Sequence, residues 1–462
     1  MDRRGFALGI VLLAAALELL DGTIVNVVLP AIQREFGTST GMLGWIASSY
    51  TLALGAGLTI GGRLGDTYGP RRMLAIGTAG FIAAALVCSL APNTLTLLIA
   101  RITQGGAAAL AVPQTLALIQ LMYPPAERGR PLSLFATVTG VATVGGLFVG
   151  GALTELNIMG LGWRTVFLLN LPIGAVILCG LHWLPDRRAG GRASLDLPGM
   201  AMLSSGLLLL MFPLLHGSEN DWPGWVAPLP VAALVALACF AVRQHRRGKR
   251  GYGVLVDTTL FSYPSFTGAV LISALVYAAV FGLFFTMPLF LQRSLGFGPL
   301  AAGLTILPWS LGIPLASIPA ARWLVPRFGR RILVIGLLTL GTGMAIFGCL
   351  VRFAGTAPSG WQFLPGLLVS GCGMGMVVAT VLHLGLAEVP ARLAGTASGV
   401  LNNVQQLAGA LGVAAAAAGY AGMQQATGFA SAFQAVILGM LAVLLVTALP
   451  VQLLPARRPR PR

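Results

Sequence analysis

The chain has 462 residues, of which 56% are hydrophobic and only 9% charged, and its mean hydropathy is +0.86. That balance lies far outside soluble globular usage and excludes water as the main solvent of the fold. The net charge of +16 would suit nucleic acid or a lipid surface, so the placement of the basic residues has to decide.

Apolar stretches of roughly 18 to 25 residues recur between short polar breaks, the length a helix needs to cross about 30 Å of hydrocarbon. In chain order they predict spans near 6-31, 42-62, 73-91, 94-121, 131-153, 164-184, 197-216, 225-242, 264-290, 300-321, 332-351, 362-386, 395-420 and 431-451. No period-two pattern suggests a barrel. The first stretch is too long and too interrupted by acids for a secretory signal, and is expected to stay as a membrane helix.

With the N-terminus in the cytoplasm, one side collects Arg3, Arg4, Arg63, Arg71, Arg72, Arg128, Arg130, Arg187, Arg188, Arg192, the Arg243–Arg250 run, Arg322, Arg327, Arg330, Arg331, Arg392 and the arginines after Pro455. The remainder are Arg34, Arg164, Arg293 and Arg352 at the other side and Arg101 within a span. This is the positive-inside pattern, and it supports an even span count with both termini cytoplasmic. The run at 243-250 therefore reads as an orientation signal touching anionic headgroups, and nucleic acid is not an expected partner. Lys249 is the one lysine, an arginine bias that suggests a GC-rich genome and a bacterial plasma membrane. The cysteines and histidines show no ligand spacing, so no metal is expected, and no nucleophile pair or soluble domain suggests an enzyme.

A shift of 260 residues aligns Gly62–Arg72 with Arg322–Arg331, matching Gly69 to Gly329 and Arg71 to Arg331, while Asp66 meets Pro326. If this is a repeat rather than chance, the chain divides into a six-helix bundle at 1-185, two inserted helices with a basic loop at 186-260, a second bundle at 261-454 and a basic tail at 455-462. Such paired halves place a substrate site near the membrane midplane.

Glu18 and Asp21 stand out, because a carboxylate within a span costs several kcal/mol unless it faces a cavity or a partner. Their spacing puts both on one helical face, with Asn26 about one turn further along. Asp21 lies about 15 residues, or roughly 22 Å, into span one, and Arg101 about 7 residues, or roughly 10 Å, into the oppositely directed span four. The two charges thus share a depth. Our hypothesis is that Arg101 neighbours Asp21 in at least one conformation and lowers its proton affinity, that a drier pocket raises it, and that alternation couples protons to transport. A static ion pair is the other reading, and Glu18 is open to the same two.

The 62-72 stretch reads as a tight cytoplasmic turn needing Gly65 and Gly69, with Asp66 accepting from a facing helix end or pairing with Arg71 or Arg72. Gly146 and Gly150 in span five have small-xxx-small spacing, as a flexible seam or as plain close packing. Glu155, beyond that span, either lines an outer vestibule or is merely solvated. In span thirteen Asn402 and Gln406, at i and i+4, are expected to line the substrate cavity with Asn26 and Gln104, or to bond helices together.

These segments resemble the major facilitator superfamily, specifically its fourteen-helix drug:proton antiporter family. The resemblance covers nearly the whole chain and rests on Leu20-Asp-Gly-Thr-Ile-Val-Asn-Val-Val-Leu-Pro30, the 62-72 stretch, Arg101-Ile-Thr-Gln-Gly-Gly106, Trp163-Arg-Thr-Val-Phe-Leu-Leu-Asn-Leu-Pro-Ile-Gly174 and Ala394-Gly-Thr-Ala-Ser-Gly-Val-Leu-Asn403. It implies an all-α membrane protein of two six-helix bundles plus two central helices, exporting amphiphilic, cationic or aromatic molecules as a functional monomer. The energy source would be a proton gradient, with no cofactor. The resemblance makes Asp21 and Arg101 coupling elements, and makes Gly62, Gly65, Asp66, Gly69, Arg71 and Arg72 a conformational latch. Thr67 stands where the family's latch has arginine, and Leu147 where its antiporter signature has proline. A dedicated exporter of one neutral or anionic natural product is the alternative.

Overall fold

A computed structural model describes residues 3–124, 127–186, 196–217, 223–353, 359–390 and 393–455. The tail expected at 455-462 lies outside these apart from Pro455, as do Arg187, Arg188, Arg192 and Arg392. Among the described residues fourteen helices are long and apolar enough to cross a membrane. They are α1 Arg4–Phe36, α2 Thr40–Tyr68, α3 Pro70–Ser89, α4 Thr94–Met122, α5 Arg130–Leu156, α6 Gly162–Trp183 and α7 Leu197–His216. The rest are α8 Gly224–Lys249, α9 Pro264–Arg293, α10 Pro299–Phe328, α11 Arg331–Arg352, α12 Gly360–Gly385, α13 Gly395–Gln424 and α14 Phe429–Leu453.

The fold is all-helical: two six-helix bundles, α1–α6 and α9–α14, with α7 and α8 between them in the chain. Helix α7 packs on α8, α2 and α13, so the pair lies beside a seam where the two bundles meet. Local signals set the helix ends. Ser39 caps α2 by accepting from the Met42 N–H, and Asn93 caps α4 by accepting from the Thr96 N–H. Gly69 and Gly329, matched by the 260-residue offset, both take positive φ between consecutive helices, at 94° and 59°. A side chain there would be strained.

Three expectations need correction. Helix α2 runs to Tyr68 and α10 to Phe328, so most of the 62-72 stretch is helix. Gly65 is therefore not a turn residue. A Cβ on it would come within 2.0 Å of the Gln114 Oε1, so it lets α4 lie close to α2. Helix α8 likewise continues through the basic run to Lys249, and only part of that run faces outward.

Small residues also make the contacts around the site. A Cβ on Gly146 would lie 2.1 Å from Thr23 Oγ1, and one on Gly150 2.6 Å from Ile24 Cγ1, so α5 sits directly on α1. Between bundles, Gly151 meets the Pro299 carbonyl and Gly55 meets Leu407 and Gln406. Hydrogen bonds add to these contacts, from Asn403 Nδ2 to Thr59 Oγ1 at 2.7 Å and from Gln292 Nε2 to the Val27 carbonyl at 2.7 Å. Glu155 accepts from the Leu300 N–H at 3.1 Å, capping the start of α10 from the other bundle.

Candidate functional site

Side chains from α4 and α6 close on Asp21 in α1, with α2 and α3 packed beside them. Arg101 Nη1 donates to Asp21 Oδ2 at 2.6 Å, Gln104 Nε2 to Oδ1 at 3.1 Å, and Asn170 Nδ2 to Oδ1 at 2.6 Å. Arg101 and Gln104 are three apart on α4 and share a face, and Arg101 Nη1 also donates to Gln104 Oε1 at 2.7 Å. The guanidinium lies 4.3 Å from the Tyr50 ring centre on α2, and Cys88 Sγ on α3 is 3.8 Å from Gln104 Oε1.

Asp21 and Arg101 have side-chain exposures of 0% and 1%. An ion pair so buried adds little net stability over apolar packing, but loss of either partner strands a charge at a cost of about 3–5 kcal/mol. Asn170 comes to the cluster from α6, whose hydrogen-bond ladder skips at Leu169 while the backbone there stays helical. A first segment, Thr165–Leu168, gives way at Leu169 to a second, Asn170–Gly180, and Pro172 has no N–H to bond back to Leu168.

The other expected residues are spread more widely. Glu18 is buried on α1 with no ion pair or hydrogen bond among the described residues. Gln104, expected in the substrate cavity, is fully buried and uses both ends of its amide inside the charge cluster. Asn26 is half-buried, Gln406 half-buried beside Gly55, and Asn402 exposed. The structure does not bring these three to one point with Asp21. Asn403, from the same polar stretch, makes the bond between bundles.

Of the expected latch, Gly62 lies near Pro113 and Arg71 Nη1 reaches the Leu184 carbonyl at 3.5 Å. Arg72 is exposed. Asp66 is exposed on the last turn of α2 and pairs with neither Arg71 nor Arg72. Arg63 is engaged instead, Nη2 donating to the Val254 carbonyl between α8 and α9.

That contact leads to a second buried acid. Asp196, just before α7, accepts from Arg243 Nε and Nη2 at 3.1 and 2.9 Å, from Gln244 Nε2 at 2.7 Å and from the Gly199 N–H at 3.1 Å. Arg247 Nε is 3.6 Å away. Gln244 Oε1 in turn accepts from the Leu255 N–H at 2.7 Å and the Val256 N–H at 3.3 Å. Burial pushes the Asp196 carboxyl up, but the bonds from Arg243, Gln244 and Gly199 outweigh it and hold the group below its ordinary value. Arg243 and Arg247 thus face a protein carboxylate rather than headgroups, while Arg246, Lys249 and Arg250 stay exposed.

The sequence pattern described as Major Facilitator Superfamily matches residues 11–413. The chain belongs to the major facilitator superfamily. It is thereby a membrane transporter of small molecules and not an enzyme. Within the superfamily it is 39% identical over 413 residues to a probable actinorhodin transporter of Streptomyces coelicolor, covering 89% of this chain and 72% of that one. It is 36% identical to a puromycin resistance protein of Streptomyces alboniger, over 89% and 81% of the two chains. A multidrug resistance protein of Mycobacterium tuberculosis is 31% identical, over 86% and 72%. Among solved structures, a bacterial homologue of the human lysosomal transporter Spinster superposes over 100% of both chains with a TM-score of 0.71 at 16% identity. A D-xylose–proton symporter gives 0.70 over 98% and 99%, also at 16%. These last two speak for the superfamily fold.

Sequence reasoning missed Asn170 and Asp196 as site residues. Asn170 stands in a quoted motif but, as a neutral amide, gave no sign of its partner. Asp196 did leave a signal: an Asp directly before a Leu-Pro helix start is an N-cap pattern.

Proposed function

We propose that this chain is a proton-coupled exporter of amphiphilic small molecules, cationic or aromatic, working by alternating access. The observation that carries the reading is Asp21, a fully buried carboxylate balanced by one guanidinium and two neutral amides. Protonating Asp21 removes half of a neutral pair and leaves Arg101 as an uncompensated buried charge. The helices carrying them must then rearrange to give Arg101 another partner or water. Proton binding on one side and release on the other thereby drives the two bundles past each other. Glu18, three residues earlier on the same helix, supplies a second acid on which a cationic substrate and a proton compete.

The basic face, with Arg63, Arg71 and Arg243, is cytoplasmic under this reading, in a bacterial plasma membrane, with lipid headgroups meeting the exposed arginines. The domain division is 1-185, 186-260 and 261-454, and one chain suffices. Asn26, Asn402 and Gln406 serve the substrate path, and the 62-72 stretch, with Arg63 in place of an arginine at position 67, is the latch.

A second reading is a dedicated exporter of one natural product, neutral or anionic. It is favoured by the relative named as a probable actinorhodin transporter. Proteoliposomes with an imposed proton gradient and matched panels of fluorescent cations and neutral aromatics separate the two. Gradient-driven movement of several cations supports the first. Movement of a single neutral or anionic compound, with none of the cations, replaces it with the second.

A further inference from the structure

The donor and acceptor capacity around Asp21 can be followed atom by atom. Gln104 has no freedom: its Oε1 is taken by Arg101 Nη1 and Cys88 Sγ, so its Nε2 is committed to Asp21. Arg101 can only donate. Every group facing the Asp21 carboxylate is therefore a donor, which suits the ionised form. A proton on either oxygen would put an O–H against N–H groups, with no acceptor to receive it.

Asn170 is different. Its Nδ2 donates to Asp21 Oδ1 at 2.6 Å, while its own Oδ1 is buried with no hydrogen-bond partner among the described residues. A half-turn about the Cβ–Cγ bond exchanges amide donor for acceptor without altering the shape of the side chain. We infer that Asn170 is a positioning residue for both protonation states of Asp21, donating to the carboxylate and, with its amide turned over, accepting from the carboxylic acid. The inference rests on the reading of Asp21 as the proton carrier. The step balances simply. A proton from water on the open side bonds to Asp21 Oδ1, no other covalent bond changes, and the proton returns to water after the bundles have moved. The amide turns once in each direction.

The surroundings single out this residue. The other titratable or charged groups near Asp21 are Glu18 on α1, Tyr50 on α2, Cys88 on α3 and Arg101 on α4. Helix α5, packed on α1, carries Arg130 and Glu155 only at its ends. Helix α6 carries Arg164 and His182 near its ends and Cys179, which is exposed. Helix α9 offers Tyr277 and Arg293, and α10 has Arg322 and Arg327 towards its far end. The Tyr50 hydroxyl is also buried without a partner among the described residues, but the face of its ring is turned to Arg101.

Two variants test the inference. Asn170→Leu keeps the size and removes donor and acceptor together, whereas Asn170→Ser leaves a shorter hydroxyl and room for a water, which together can do both. Proton release from the purified full-length protein is followed potentiometrically in weak buffer as the pH is raised from the acid limit at which the protein stays folded. The curve of the matching Asp21→Asn protein is subtracted, leaving the proton that depends on Asp21. The expected result is a midpoint raised by about one pH unit in Asn170→Leu, because the charge-assisted donor lost from the ionised form outweighs the neutral acceptor lost from the acid. Asn170→Ser is expected within about half a unit of the wild type, since it retains the donor. An unchanged or lowered midpoint in Asn170→Leu, or a Ser variant displaced as far as Leu, overturns the inference and leaves a packing role, which would move thermal stability alone. If Asp21→Asn removes no proton at all, the carrier reading falls and this inference with it. If one proton is removed but Asn170→Leu titrates as wild type, only this inference falls.

Discussion

Among the described residues two aspartates have fully buried side chains, yet their surroundings differ in kind. Asp21 in α1 has one guanidinium and two neutral amides; Asp196, at the start of α7, has Arg243 and Arg247, the Gln244 amide and a helix N–H. A proton on Asp21 strands one cation, which a helix movement can rehouse. A proton on Asp196 weakens its bonds to two partly hydrated arginines and to Gln244, whose other end holds the 255-256 backbone. Under the proposed function, the ratio of cations to acid separates a group suited to carry a proton from one suited to fix structure. The second site ties α7 to α8, and Gln244 and Arg63 extend the tie to the segment before α9 and to α2.

The sharpest way to break the comparison is to remove the cation at each site. Arg101→Leu leaves Asp21 unpaired in an apolar bundle, and we expect gradient-driven transport to fall by more than about 100-fold, with a thermal-stability loss of about 3–5 kcal/mol. Scintillation uptake and a thermal melt of purified protein measure both. At the second site Asp196→Ala is expected to cost about 1–3 kcal/mol, the partners being partly hydrated, with turnover per folded molecule reduced only a few-fold. If the first variant transports normally, or the second abolishes coupling in folded protein, the roles are exchanged.

Acidity distinguishes the two sites further. Because the folded value of Asp196 lies below its ordinary 3.8, its stabilisation is complete above that pH and is lost only as the pH falls through the lower folded value. Between pH 5 and 8, about the range over which transport is assayed, Asp196→Asn should therefore lower the melting temperature by a constant amount. A stability difference that grows steadily across that window would show Asp196 titrating there. The smallest effect is expected at the seam between bundles. Asn403→Leu loses one hydrogen bond to Thr59, worth about 1 kcal/mol, and should shift KM or kcat by no more than about fivefold.

The contrast also shows what was legible from the residues. Fourteen spans could be read because hydrocarbon thickness imposes a length, and Asp21 with Arg101 because the rise of a straight helix converts residue number into depth. Asn170 escaped that arithmetic because a neutral amide in a span carries no charge signal. Asp196 was lost for another reason. Its partners lie in a run of basic residues that charge bias alone assigns to headgroups, and only the packing of α7 against α8 shows that one face of that run points inward. The last turns of α2 read as a loop because Gly65 resembles a turn residue until α4 is packed against it.

The role of Asp21 is tested most directly by Asp21→Asn in proteoliposomes under an imposed pH gradient, using a cation that the wild type accumulates. Asn keeps the shape of the side chain and cannot exchange a proton. The variant should assemble in the membrane and still equilibrate the cation down its own gradient, but should fail to concentrate it and should move no protons on its addition. Uphill accumulation by Asp21→Asn at the wild-type rate would contradict the assignment of Asp21 as the proton carrier.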